Sequence, residues 1–256
     1  MKPPFGCCSR LSLAACILIL GLARAVGQDW PQWRGLNRDA KAAAFSAPET
    51  WPAELTQVWR LAVGDGVATP ALSGGKVYAF TRQGSEEVLR CLDADSGREV
   101  WQERYEAQGA AGPAASFAGP RCSPTVGEGK VVTLGVRGAL ACFGAATGKV
   151  LWRKDDFAAT GPRFFTSSSP IVADGLCVAQ LGGEGGGMVA YALADGAEKW
   201  RWTGDGSAYA SPVLLAVGGV TYVVAQTDKK VVAIRLTDGT LAWDPPFVVE
   251  IGRAHV

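Results

Sequence analysis

The phrase Gly-x-x-x-Trp occurs four times in this chain: Gly97-Arg98-Glu99-Val100-Trp101, Gly148-Lys149-Val150-Leu151-Trp152, Gly196-Ala197-Glu198-Lys199-Trp200 and Gly239-Thr240-Leu241-Ala242-Trp243. The tryptophans fall 51, 48 and 43 residues apart. A period of roughly 40–50 residues built from short strands is the signature of propeller blades. The expected fold is therefore all-β, a β-propeller of four-stranded blades.

Each period divides the same way. A Ser/Thr-Pro pair opens it: Thr69-Pro70, Ser123-Pro124, Ser169-Pro170 and Ser211-Pro212. The proline lacks an N–H and fits a strand opening. A turn such as Ser73-Gly74-Gly75 or Asp174-Gly175 leads into β-rich runs at Lys76 to Phe80, Lys130 to Leu134, Leu176 to Gln180 and Val220 to Val224. A third strand follows at Val88 to Leu92, Ala139 to Phe143, Met188 to Ala192 and Val231 to Arg235. A tight turn then ends in the repeated glycine, and the fourth strand carries the tryptophan. The glycine supplies the turn conformation. The tryptophan is expected to cover that turn and pack on the neighbouring blade, its indole N–H donating to a backbone carbonyl. A ring that stacks on a cofactor is the competing reading, and recurrence once per blade favours the structural role. The signature residues are thus Gly97, Trp101, Gly148, Trp152, Gly196, Trp200, Gly239 and Trp243. Trp59, in Gln57-Val58-Trp59-Arg60, reads as a fourth strand without its own blade, one that closes the ring by completing the last blade.

The ends read differently from the middle. Lys2 and Arg10 precede an apolar stretch from Leu11 to Leu22, and Ala23-Arg24-Ala25 fits a small-x-small cleavage site. Residues 1–25 are read as a secretory signal, too short to span a bilayer. Leu13-Ala14-Ala15-Cys16 matches a lipoprotein box, but the apolar run continues past Cys16, so a lipid anchor there is not expected. No other run suits a membrane helix, and the mature chain is expected in the periplasm or secreted. Residues 26–55 form a tryptophan-rich lead-in and 56–249 the blades. Residues 250–256 back-translate to a short-read sequencing adapter and are read as an artefact. His255, the one histidine, lies in that tail. The expectation is about four to five blades, the first half of a larger ring. A piece of this kind would expose an unpaired blade edge and aggregate.

Composition limits the chemistry. Only 19% of residues are charged, and the chain outside its two ends is slightly acidic. That argues against a nucleic-acid surface. Cys7, Cys8 and Cys16 lie in the signal. Cys91 and Cys142 align with Tyr191 and Ile234, and Cys177 aligns with Val77, Val131 and Thr221, so these read as small core residues. Cys122 is the other mature cysteine, and none has metal-ligand spacing. Without a histidine, no Ser-His-Asp or Cys-His site can form. Gly182-Gly183-Glu184-Gly185-Gly186-Gly187 lacks the helix and Lys-Ser/Thr of a phosphate loop and reads as a hairpin turn. The segments Glu106 to Arg121 and Phe157 to Thr166 are longer than turns and would lie on a propeller face, as partner loops or plain spacers.

The phrases Leu92-Asp93-Ala94-Asp95-Ser96-Gly97-Arg98-Glu99-Val100-Trp101 and Ala146-Thr147-Gly148-Lys149-Val150-Leu151-Trp152 resemble the pyrroloquinoline-quinone (PQQ)-like propeller repeat. Asp29-Trp30-Pro31-Gln32-Trp33-Arg34-Gly35-Leu36-Asn37-Arg38-Asp39 is similar to the opening of exported PQQ-like propellers, with Leu36 where proline is usual. The resemblance covers residues 29–249 and implies a ring of about seven or eight blades. The family includes quinoprotein dehydrogenases and non-enzymatic propellers, among them the propeller subunit of the outer-membrane barrel-assembly machinery. A quinoprotein would need Ca²⁺ on hard oxygen ligands, a carboxylate base and adjacent cysteines. Cys7-Cys8 is the one adjacent pair, and Asp155, Asp156 and Glu184 read as solvated loop charges. The expectation is a binding or assembly scaffold with no catalytic, cofactor or metal residues, partnered by exported or envelope proteins. The alternative is a PQQ- and Ca²⁺-dependent dehydrogenase of alcohols or sugars, with its site partly beyond residue 256.

Overall fold

The computed structural model describes residues 28–247 apart from 43, 44, 158, 159 and 184. The segment read as a signal, with Cys7, Cys8 and Cys16, lies outside the described residues, as do Glu184 and the tail with His255.

Among the described residues, sixteen strands form four antiparallel sheets of four, each in simple sequence order. The first blade is β1 (Ala71–Ser73), β2 (Lys76–Gln83), β3 (Glu86–Asp93) and β4 (Glu99–Glu106). The second is β5 (Thr125–Gly127), β6 (Lys130–Leu134), β7 (Leu140–Gly144) and β8 (Val150–Lys154). The third is β9 (Ile171–Ala173), β10 (Leu176–Leu181), β11 (Gly187–Ala192) and β12 (Glu198–Trp202). The fourth is β13 (Val213–Val217), β14 (Val220–Gln226), β15 (Val231–Arg235) and β16 (Leu241–Trp243). The first strands approach one another, β1 beside β5 and β5 beside β9, so they line the hub and the fourth strands lie outermost. A short 3-10 helix, Gly112–Phe117, interrupts the connection into the second blade.

The hydrophobic runs do not alternate with polar residues because both faces of an inner blade are covered. On β10, Cys177, Ala179 and Leu181 join a core cluster with Val132, Leu140 and Trp152 of the second blade. Val178, between them, packs with Val223, Val232 and Ile234 of the fourth. A third cluster joins Tyr78, Phe80 and Leu89 to Val131 and Phe143 across the first seam.

Every blade carries a register shift at one place, between Cys91 and Leu92, Cys142 and Phe143, Ala190 and Tyr191, and Ala233 and Ile234. One residue before each tryptophan is extra, and such a bulge re-aims the side chain that follows it. The shift corrects the sequence alignment of the cysteines. Cys91 and Cys142 pair with Trp101 and Trp152, as Ala190 and Ala233 pair with Trp200 and Trp243. They therefore match Ala190 and Ala233, not Tyr191 and Ile234. Cys177 pairs with Tyr191 as Val223 pairs with Ile234, so its counterpart is Val223 rather than Thr221. The hairpin into β14 is longer, and counting from its turn misplaces the register. Among the described residues the four cysteines, Cys91, Cys122, Cys142 and Cys177, are buried and free.

Trp59 lies outside any described strand, and its ring reaches the first blade.

Candidate functional site: a cleft on the loop face

The sheets have two different ends. One end carries the tight turns between first and second, and third and fourth strands, including every Gly-x-x-x-Trp glycine. Those glycines all have φ near +70°: Gly97 at 69°, Gly148 at 73°, Gly196 at 73° and Gly239 at 75°. The ring each one meets is not from its own repeat. Gly148 lies against Trp101, Gly196 against Trp152 and Gly239 against Trp200, so closely that a Cβ would sit within 2.6–2.9 Å of the indole. Gly97 lies the same way against Trp59. The indole N–H then donates to the carbonyl three residues before that glycine. Trp59 bonds Ala94 at 2.8 Å, Trp101 bonds Ala145 at 3.0 Å, Trp152 bonds Leu193 at 3.0 Å and Trp200 bonds Leu236 at 2.8 Å. Each tryptophan thus fastens its blade to the next one's turn. Trp243 makes no such bond among the described residues.

A second belt runs around the hub. The Ser123 N–H donates to Ser169 Oγ at 2.9 Å, and the Ser169 N–H donates to Ser211 Oγ at 2.8 Å. Ser169 and Ser211 therefore each serve the blade before their own. The lead-in joins this belt. Trp30 bridges to Leu72, and the Pro31 carbonyl accepts from Val126 N–H at 2.7 Å. Arg38, 4% exposed, donates to the carbonyls of Pro170 at 2.8 Å and Ser169 at 2.9 Å and to Gln32 Oε1 at 2.9 Å. Burial lowers its pKa to about 10, which still leaves it charged at neutral pH. Its guanidinium also lies over the Trp33 ring.

The opposite end carries the loops between second and third strands and the long connections between blades. There a cleft of about 1250 Å³ opens between the third and fourth blades. Trp33, Phe164 and Tyr209 give it aromatic walls, Arg121, Arg163 and Lys229 give it positive charge, and glycines 183, 185, 204 and 206 leave backbone bare. Its floor is fixed by hydrogen bonds, most of them part-buried. Gln180, 1% exposed, accepts from Ala208 N–H at 3.0 Å and donates to the Ala210 carbonyl at 2.9 Å. Asp205 accepts from Thr227 Oγ1 at 2.7 Å and from Lys229 N–H at 2.6 Å. Tyr209 accepts from Phe164 N–H at 3.1 Å, and Ser207 bonds the Gly182 carbonyl. Asp205 and Asp228 also line the cleft, and Lys229 lies 3.9 Å from Asp228, so three cationic side chains face two carboxylates and the balance is only slightly positive.

Of the carboxylates singled out from sequence, Asp155 and Asp156 are among the described residues, and each is engaged by a neighbouring side chain. Asp155 accepts from Arg153 at 3.2 Å, and Asp156 accepts from Tyr191 at 3.3 Å. Among the described residues no three His, Cys, Asp or Glu side chains are grouped as a metal site. Burial pushes the Cys142 thiol up to about 11 and those of Cys91, Cys122 and Cys177 upward too, so none is a ready nucleophile. The Gly-rich 182–187 segment turns from β10 into β11. Sequence reasoning missed two buried ions, Arg38 and Glu87. Glu87 sits in an exposed-looking Glu86-Glu87 pair, and nothing local marks which carboxylate turns inward.

The model of the family described as outer membrane protein assembly factor BamB matches residues 85–248. The chain belongs to that family. Two curated members are each 29% identical to it over 203 residues, the BamB proteins of Shewanella oneidensis and Burkholderia pseudomallei. The matches cover 73% and 78% of this chain but 47% and 45% of those proteins. The chain thus spans about half the length of the curated relatives it matches. The crystal structure of BamB from Moraxella catarrhalis superposes with a TM-score of 0.52 at 20% identity, covering 73% of this chain and 51% of that one. Quinohemoprotein alcohol dehydrogenase from Comamonas testosteroni superposes at 0.60, also at 20% identity, covering 85% of this chain and 41% of that one. At such identity both likenesses speak to the propeller fold alone. Among the described residues no helix is long and apolar enough to cross a membrane.

Proposed function

We propose that this chain is an exported PQQ-like propeller that works without chemistry of its own, as a binding scaffold in outer-membrane assembly. Its place is the periplasm or the periplasmic face of the outer membrane, and its partners are envelope proteins. The observation that carries the reading is the cleft on the loop face. It is large, open and pre-shaped, and its aromatic walls and bare backbone suit a protein segment better than a small substrate. Asp205, Thr227, Ser207 and Tyr209 are engaged in holding its loops together, which keeps a docking surface rigid. The family relationship supplies the assembly context.

The test is site-specific photo-crosslinking in a Gram-negative host that exports the chain. A photoreactive residue at Lys229, in the cleft, is expected to trap a component of the outer-membrane barrel-assembly machinery. The same residue at Gly74, on the turn face, is expected to trap none. Equal labelling from both positions would remove the cleft as the docking surface. Dye-linked oxidation of an alcohol or sugar after adding PQQ and Ca²⁺ would overturn the scaffold reading itself.

A further inference from the structure

The seams between blades are latched at the loop end by different chemistry. At the third seam the latch is Gln180, a neutral amide. At the first it is Glu87, an acid that is 1% exposed. Its Oε1 accepts from Val136 N–H of the second blade at 2.8 Å, and its Oε2 accepts from Tyr105 O–H of the first at 2.7 Å. The contact is tight: a Cβ on Gly135 would fall within van der Waals overlap of the carboxylate.

Every charged neighbour is otherwise engaged. Arg82 of β2 donates to the Ala107 carbonyl at 2.8 Å. Arg153 of β8 bonds Asp155, with its guanidinium 4.1 Å from the Tyr105 ring centre. Arg137, in the loop after β6, donates to the Gly109 carbonyl at 3.3 Å. Tyr105 and Cys122 are held protonated by burial. Glu106 and Asp155 line a cavity of about 470 Å³ beside the carboxylate, through which protons can reach it.

We propose that Glu87 is a proton-operated latch on the seam between the first and second blades, closed most firmly when its carboxyl is neutral. Ionised, the buried carboxylate has two hydrogen bonds and no ion-pair partner, so desolvation opposes closure. Protonated, one oxygen keeps Val136 N–H and the new O–H donates to Tyr105, which turns from donor to acceptor. Burial raises the Glu87 pKa above its ordinary value despite both hydrogen bonds and the positive charges of Arg82 and Arg153. A raised acid adds stability that is complete below its unfolded pKa and is lost as pH rises through the folded one. The seam should therefore loosen toward neutral pH and tighten on mild acidification, while the Gln180 seam stays indifferent.

Hydrogen exchange of the whole protein tests this, read at the Lys130–Leu140 segment and corrected for the intrinsic rate. Protection there is expected to rise as pH falls from about 8 to about 5, by no more than about tenfold per unit, the limit for one proton. E87Q places an amide where the protonated acid would be, and its profile is expected to be flat at the wild-type acid level. Y105F removes a donor to the carboxylate, and its profile is expected to shift to higher pH, which keeps the proposal testable if E87Q fails to fold. A wild-type profile matching that of E87Q, or one in which protection falls on acidification, would overturn it. Q180E is expected to bring the same pH response to the third seam, and no response there would count equally against the mechanism.

Discussion

The third and fourth blades are built from the same phrases and meet different fates. In the third, all of β11 is buried and Trp200 is 7% exposed. In the fourth, most of β13 faces outward, with Leu215 44% exposed, and Trp243 is 41% exposed. Strand order, bulge and positive-φ glycine are alike in both. The difference lies in their neighbours, since among the described residues the third blade is covered on both faces and the fourth on one. A Gly-x-x-x-Trp phrase is therefore half of a fastening, and its strength is set by whether another blade's turn meets it.

The largest separation between the two blades should come from Trp152, which fastens the second blade to the covered third. Trp152→Ala removes a buried indole, its bond to Leu193 and its contact with Tyr191. It is expected to cost about 3–5 kcal/mol by chemical denaturation. A loss under about 1 kcal/mol would mean that the fastenings are ornamental.

Glycine substitutions sharpen the point by holding backbone strain constant. Gly196 (φ 73°) sits under the Trp152 ring, whereas Gly218 (φ 57°) in the fourth blade has nothing within 4 Å of a built Cβ. Gly196→Ala is expected to lower stability by about 2–4 kcal/mol through strain plus collision. Gly218→Ala should lower it by about 1 kcal/mol, from strain alone. Equal losses would show that close approach to the indole contributes nothing.

The smallest effect belongs to Trp243→Ala in the fourth blade, expected within about 0.5 kcal/mol of wild type. A cost near that of Trp152→Ala would require a partner for the Trp243 ring and would erase the comparison.

Much of this was legible in the chain. The spacing of Trp101, Trp152, Trp200 and Trp243 gives strand count and order, because a four-stranded unit that buries both faces must repeat its pattern. The Ser/Thr-Pro pairs mark strand openings for a local reason, the missing proline N–H. The partner of each motif was not legible. That Trp101 seats on Gly148 rather than Gly97, or that Ser169 serves Ser123, depends on how one blade is placed against the next. The cysteine alignment slipped because the bulge and the longer hairpin into β14 change the count without changing the residue types.

The cleft shows the same division. The sequence marks 157–166 and 182–187 as long or glycine-rich connections, but their convergence with Trp33 and the 203–210 segment is a product of packing. So is the burial of Glu87 beside half-buried Glu86, and of Arg38 in a lead-in full of polar residues. The sequence by itself determined the repeat, the strand order and the turn chemistry, because those rest on contacts within a few residues. The tertiary structure decided which ring covers which turn, which ions are buried and where the loop face opens. Those outcomes depend on burial and carbonyl partners supplied by residues some 35 to 130 positions away.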